Sequence, residues 1–264
     1  MAGFTDEQAL RYARQINIPD VGVAGQERLL SSSALVVGAG GLGSPALLYL
    51  TAAGVGRIGV VDADPVDLTN LQRQIAHGTA DIGRGKAESA RDAMHAIDPG
   101  IVVATYGERL TAANALQTIR RYDVVLDCTD NFPTRYLIND ACVLLGTTLV
   151  TAAVIRFHGQ LTTVRPHQGP CMRCLLPEPP APGSVPSCAQ AGVLGPVAGA
   201  MGCLQAVEAI KVLLGLPDTL VGRLFVLDAL AFAPSIMEIE RDPDCPVCGA
   251  TPRITGLTDF EASC

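Results

Sequence analysis

Gly38-Ala39-Gly40-Gly41-Leu42-Gly43 follows the short apolar run Ala34 to Val37 and precedes a helical pattern. Glycines in that setting let the backbone turn tightly and approach a phosphate. The helix N-terminus behind them supplies free N–H groups and positive potential. Asp62 ends the next apolar run, 19 residues beyond Gly43, where an acidic side chain can take ribose hydroxyls. These residues predict a bound nucleotide, and the fingerprint by itself points first to NAD. A second chemistry lies in Cys171-Met172-Arg173-Cys174 and Cys245-Pro246-Val247-Cys248. Four thiolates in two CxxC pairs suit a tetrahedral Zn²⁺ in a closed structural site. A redox CxxC is the rival reading, because the gap between the pairs exceeds that of a short zinc ribbon.

The elements that must position these groups alternate. Thr5-Asp6-Glu7-Gln8 reads as a capping box opening a helix that includes Arg11 and Arg14. Strand patterns over Ala34–Val37, Arg57–Asp62, Ile101–Tyr106, Asp123–Asp127 and Thr148–Ala152 are separated by helical ones over Ser44–Ala53, Lys86–Ile97, Leu110–Arg120 and Pro133–Leu145. That order predicts an α/β fold: a doubly wound, Rossmann-like, mostly parallel sheet with helices on both faces. Gln160–Val164 and Leu224–Leu227 follow without crossover helices and are expected as antiparallel additions. Met201–Leu214 is a helix stopped by Gly215, and the zinc ion would staple the C-terminal segment back onto the body. Residues 177–190 form a proline-rich mobile loop, no repeat or linker divides residues 1–264, and 249–264 is a tail of uncertain order.

Further segments carry a resemblance. Arg11-Tyr12-Ala13-Arg14-Gln15, the glycine turn, Asn70-Leu71-Gln72-Arg73-Gln74, Lys86, Asp127-Cys128-Thr129-Asp130-Asn131 and both cysteine pairs occur in order across roughly residues 10–250. In these the chain resembles the ThiF/MoeB family, bacterial relatives of ubiquitin-activating enzymes. The resemblance implies adenylation by ATP of the C-terminal carboxylate of a small ubiquitin-like sulfur-carrier protein ending in Gly-Gly. It places Gly41 near the phosphates, Asp62 on ribose, Thr69, Asn70, Leu71, Gln72, Arg73 and Lys86 along the nucleotide, and Asp130 with Asn131 at the metal end. Arg14 is implied as a finger reaching the nucleotide of the other subunit of a homodimer. Cys188 is implied, in some relatives, as a thiol holding the carrier as a thioester or acyl disulfide; the plain reading is an exposed cysteine.

Elementary chemistry supports these roles. A carboxylate attacking an α-phosphate brings two anions together, so Arg73 and Lys86 must neutralise charge, with Mg²⁺ adding more. Asp130, just past the fourth parallel strand, lies at the edge where open α/β sheets bind ligands, and its carboxylate suits that hard ion. The attacking carboxylate is ionised near neutral pH, so no base is assigned to His77, His95, His158 or His167. Cys128, Cys142 and Cys203 fall on strand or helix patterns and are expected in the core.

The formal charge of −7 implies no basic surface, so nucleic acid is not an expected partner. The uncharged stretches Leu29–Gly56 and Pro179–Val207 are too rich in glycine and proline to read as membrane spans. The opening residues lack a basic stretch followed by an apolar run, so a cytoplasmic location is expected, and nine cysteines there favour metal or thiol chemistry over disulfides. With sixteen residues after Cys248, the sulfur is expected to come from a separate donor. A nicotinamide-dependent oxidoreductase would leave Asn70, Arg73, Lys86 and the four cysteines idle. A non-catalytic zinc-stapled adaptor would waste the phosphate-handling set.

Overall fold

The computed structural model describes residues 4–181, 184 and 188–259. Helices α1 (Asp6–Arg11), α2 (Ala13–Ile16) and α3 (Gly22–Ser31) lead into β1 (Ser33–Val37), α4 (Gly43–Ala52), β2 (Arg57–Val61), α5 (Lys86–Ile97) and β3 (Val102–Tyr106). Then come α6 (Ala115–Ile119), β4 (Val124–Asp127), α7 (Phe132–Leu145), β5 (Thr148–Ile155) and β6 (His158–Val164). The chain continues through α8 (Met172–Leu175), α9 (Cys188–Ala191), α10 (Gly195–Leu214), β7 (Arg223–Asp228) and β8 (Ala233–Glu238).

One eight-stranded sheet results, in the order β3-β2-β1-β4-β5-β6-β7-β8. The first five strands in that order pair in parallel and the remaining three add antiparallel, all but β8 as the sequence pattern predicts. Strand residues point alternately to the two faces. Ala34, Val36, Val124 and Leu126 pack in a core shared with α4, α5 and α10, while Leu35, Val37 and Val125 join α6, α7 and the paired cysteines on the other face. Leu35, Leu47, Leu50 and Ile138 are fully buried, each contributing about 1.5–3 kcal/mol of apolar transfer. Strand order reverses between β1 and β4, so a crevice opens outside their carboxyl ends.

Four expectations about the elements need correction. The capping box forms, with Thr5 Oγ1 accepting from the Gln8 N–H at 3.1 Å. The helix nevertheless breaks at Tyr12, whose buried ring is tied by its hydroxyl to Asp98 at 3.0 Å, so Arg14 sits on the separate α2. The helix expected from Leu110 shrinks to Ala115–Ile119, because the Asn114 side chain accepts from the Thr111 N–H and donates to the Arg109 carbonyl. Such local side-chain bonds compete with helix. Helix α10 starts at Gly195, not Met201. Pro196 fits its first turn, and Gly202 lets it press on α4, where a Cβ would come within 2.2 Å of the Leu42 carbonyl. Cys203 is half-buried, whereas Cys128 and Cys142 are core residues as expected.

Among the described residues α10 is the one helix long and apolar enough to cross a membrane. Here it packs against α4 and strands β4 to β6. Of the proline-rich segment, residues 182–183 and 185–187 lie outside the described residues, as does Cys264. In the tail, Ile254 and Leu257 pack against the second core, and Asp259 Oδ1 accepts from the Ala112 N–H at 2.8 Å.

Candidate active site and metal centre

A cavity of about 760 Å³ occupies the crevice at the carboxyl rim of the sheet. Its size is in the range of small-molecule sites. Gly41, Asp62, Arg73, Lys86, Asp130 and Asn131 all line it, so six of the residues singled out in the sequence converge from β1, β2, β4 and the segments after them. Val37, Val61, Leu110 and Leu137 supply apolar wall. Thr69, Asn70, Leu71 and Gln72 do not line the cavity; they sit in the exposed turn that carries Arg73. There Asp67 caps a short 3₁₀ turn over Leu68–Asn70, its carboxylate accepting from the N–H and hydroxyl of Thr69 and its own N–H donating to Asn70 Oδ1. Arg14 is exposed on α2, away from its own chain's cavity. Cys188 opens α9, and its side chain lies outside the described residues.

The glycine turn is built to be stiff. A Cβ on Gly43 would lie 1.8 Å from the Gly38 carbonyl, so only glycine lets α4 begin this close to β1. Residue 39 is held from two sides. Its N–H donates to Asp62 Oδ2 at 2.8 Å, and its carbonyl lies 3.0 Å from Nε2 of the buried His77. A carbonyl only accepts, so Nε2 carries the proton. In the neutral ring Nδ1 then accepts from the Ser89 hydroxyl at 2.8 Å. Burial lowers the His77 pKa, which keeps the ring neutral at neutral pH. Burial also raises the Asp62 pKa, opposed by the N–H groups of Asp64 and Ala39 and by the charge of Lys86.

Beyond β4 a buried lock fixes the turn that presents Asp130. Asp127, 1% exposed, accepts from the Thr129 N–H, the Thr129 hydroxyl and the Thr151 hydroxyl. Arg135 stands 3.4 Å from its carboxylate and also donates to the carbonyls of Thr129 and Ala152. Asn131 caps α7 by accepting from the Thr134 N–H, so its side chain is engaged even though it lines the cavity. The Asp130 carboxylate has no hydrogen bond or ion pair among the described residues and is exposed to the cavity, which fits a group waiting for a cation.

The expected cluster of free cations is only partly present. Lys86 and Arg109 both approach Asp64, at 3.5 and 3.7 Å, and Arg135 is committed to Asp127. Arg73 donates to the Thr69 carbonyl and has no carboxylate partner among the described residues. Gln74, His77, Asp127, Arg109 and Arg135 were not assigned from sequence, since nothing in residue type alone separates them from surface or core positions. The nearest signal is Asp127-Cys128-Thr129, an acid at a strand end with a hydroxyl two residues on, which suits an Asx turn.

Across the second core the four cysteines come together. All four Sγ atoms lie within 4.8 Å of one another, with Cys171–Cys245 at 3.6 Å and Cys174–Cys248 at 3.4 Å. A tetrahedral ion with bonds of about 2.3 Å needs sulfurs about 3.8 Å apart, so the set fits Zn²⁺. Four crowded thiols share protons badly: Cys174, hydrogen-bonded by Cys171, is lowered to about 5 while Cys171 is driven well up. Asp140 grips Arg173 between the first pair at 2.8 Å through two bonds, anchoring this knuckle to α7.

Known proteins resemble this chain in sequence and in fold. A sulfur carrier protein adenylyltransferase of Thermus thermophilus is 50% identical, covering 99% of this chain and 98% of that protein. The probable adenylyltransferase/sulfurtransferase MoeZ of Mycobacterium tuberculosis is 50% identical, and the adenylyltransferase and sulfurtransferase MOCS3 of Sus scrofa 48%. Those two are longer, and the chain spans 65% and 58% of them. Among solved structures, E. coli MccB with MccA-N7isoASN superposes with a TM-score of 0.79 at 20% identity, over 91% of this chain and 74% of that one, which speaks to the fold. Residues 12–247 match the ThiF family, and with half of its residues shared along a full-length relative the chain belongs to that family.

Proposed function

We propose that this protein is an adenylyltransferase that uses ATP to activate the C-terminal glycine carboxylate of a small ubiquitin-like sulfur-carrier protein. The observation that carries the reading is the meeting of Gly41, Asp62, Arg73, Lys86 and Asp130 at one cavity, in a chain half-identical to a sulfur carrier protein adenylyltransferase. One carboxylate oxygen attacks the α-phosphorus, the bond to the bridging oxygen breaks, and the electron pair leaves with pyrophosphate. Amides of the glycine turn and the N-terminus of α4 receive phosphate oxygens, Asp62 takes the ribose, and Arg73 and Lys86 meet the negative charge that develops. Asp130 would hold Mg²⁺, which supplies further neutralisation when bound. Zn²⁺ in the four-cysteine cluster is structural, and none of its four ligands lines the cavity. In this reading the protein works in the cytoplasm as a homodimer with Arg14 serving the partner's site, and a separate donor supplies sulfur after adenylation. In the same reading Cys188 is the thiol that takes the acyl group from the adenylate, with AMP as the leaving group.

The test is exchange of radiolabelled pyrophosphate into ATP, with and without purified carrier proteins. Carrier-dependent exchange is expected. Arg73→Ala should lower it by about 100-fold without unfolding the protein, the scale of losing one group that meets transition-state charge. No exchange with any carrier of the class, or full exchange in Arg73→Ala, would remove respectively the activity or the residue.

A further inference from the structure

Gln74 closes the family-like segment Asn70-Leu71-Gln72-Arg73-Gln74, yet none of the roles above uses it. Its backbone is fixed: the N–H donates to Asn70 and the carbonyl accepts from the His77 N–H, at 3.0 and 3.1 Å. The side chain is 4% exposed and lines the nucleotide cavity beside Gly40, Gly41 and Arg73. A Cβ built on Gly40 would stand 3.5 Å from its Nε2, so the amide lies directly against the phosphate-binding turn. No described residue satisfies that amide. Oε1 is the one buried side-chain polar atom without a partner among the described residues, and Nε2 makes no hydrogen bond to them.

Oε1 is a buried acceptor left without a donor, a cost native proteins seldom bear without a reason, and the reason lies in the Nε2 end of the same amide, which stands against the glycine turn. A methionine or leucine would fill the same space without that penalty. We propose that Gln74 is a nucleotide-binding residue whose amide N–H donates to a phosphate oxygen of the nucleotide seated on Gly40 and Gly41. This rests on the adenylyltransferase reading. The terminal torsion of glutamine is soft and its two ends are nearly the same shape, so the donor end can turn to the ligand. A neutral donor is suited to this position. A cation buried to the same depth takes a carboxylate partner, as Lys86 does in Asp64, whereas a neutral amide brings no carboxylate that would repel the phosphates.

Titration calorimetry with Mg·ATP and with adenosine, on the wild type and on Gln74→Met and Gln74→Glu, tests the assignment. Gln74→Met keeps the volume and loses the amide. ATP should bind about tenfold more weakly, as expected for one hydrogen bond to a charged group. Adenosine affinity should stay unchanged, and the nucleotide-free variant should melt no lower than the wild type. Gln74→Glu keeps the shape and the acceptor but has no donor at neutral pH, and should weaken ATP further, about 100-fold, by adding a negative charge. Wild-type ATP binding in either variant, an equal loss for adenosine, or a lowered melting temperature in Gln74→Met with ATP binding retained would overturn the role of Gln74 alone. A wild-type protein that binds no ATP would instead overturn the adenylyltransferase reading and this inference with it.

Discussion

Replacing Arg135 with methionine should cost about 3 kcal/mol of stability and loosen the nucleotide site together. The guanidinium stands 3.4 Å from a carboxylate that is 1% exposed, and its own side chain is 12% exposed. At an effective dielectric near 20, two unit charges at that distance attract by about 5 kcal/mol. Two effects reduce the net loss. Removing Arg135 recovers the cost of having desolvated it, and Asp127 keeps three other donors, from Thr129 and Thr151. Against this, the carbonyls of Thr129 and Ala152 lose a partner. Broken buried pairs commonly lose about 3–5 kcal/mol, and the remaining donors put this one at the lower end. For a chain of this size that is a fall in melting temperature of about 6–12 °C. Urea unfolding at neutral pH measures it, and the same substitution in an Asp127→Asn background should lose much less, because no buried charge is left alone. Since Arg135 fixes the Thr129 carbonyl, the turn bearing Asp130 should loosen and ATP affinity should fall as well. A loss below about 1 kcal/mol, or the same loss in both backgrounds, would show that the lock is not electrostatic.

Metal analysis of the purified protein should find one zinc per chain, and Cys171→Ser should release it. The ion joins segments separated by about seventy residues, so the stability lost should be about 4 kcal/mol, the scale of a cross-link closing such a loop. A stable, metal-free wild type would remove the staple. His77→Gln tests the brace on the glycine turn. The folded-state pKa of His77 lies below its ordinary value, so the unfolded chain binds the extra proton first as pH falls below about 6.5. His77 stabilisation is therefore present above that pH and is lost toward the lowered folded pKa. Between about pH 7 and about pH 5.5 the wild type should lose stability more steeply than His77→Gln, which can still donate to the Ala39 carbonyl. Equal slopes would place the titration elsewhere.

How much of this could be read from sequence depended on whether a residue's role was local. The glycine turn, the start of α5 at Lys86 and the strands β1, β2 and β4 follow from short-range pattern, because buried parallel strands are continuous apolar runs and turns need particular residues. Helix α3 was not recognised: it carries two glycines, no capping side chain, and buries only Gln26 and Leu29, so no apolar stripe announces it. Strand β8 was missed for a similar reason. It is exposed along its length and contains Pro234, tolerated because the strand lies at the sheet edge. The site shows the same division. Arg73, Lys86 and Asp130 belong to recognisable segments, whereas the pairing of Asp127 with Arg135 and of His77 with Ala39 needs the fold to bring residues from different elements together. No spacing rule encodes a histidine ring meeting a carbonyl 38 positions away.

Those long-range contacts explain how an acidic protein can present a site for an anion. The chain carries a formal charge of −7, so its overall field repels a triphosphate at long range, and salt screens that repulsion beyond about 8 Å. Inside the cavity the balance is set by groups held close. Lys86 and Arg109 are kept beside Asp64, Arg135 is spent on Asp127, and Arg73 is left without a carboxylate among the described residues. The ion pairs with Asp64 involve a carboxylate 57% exposed, so they are weak enough to be exchanged for phosphate oxygens. The pair with Asp127 is buried and stays. Under the proposed function the buried pair holds the frame rigid and the exchangeable ones meet the triphosphate, a division set by the exposure of the carboxylate partner more than by residue type.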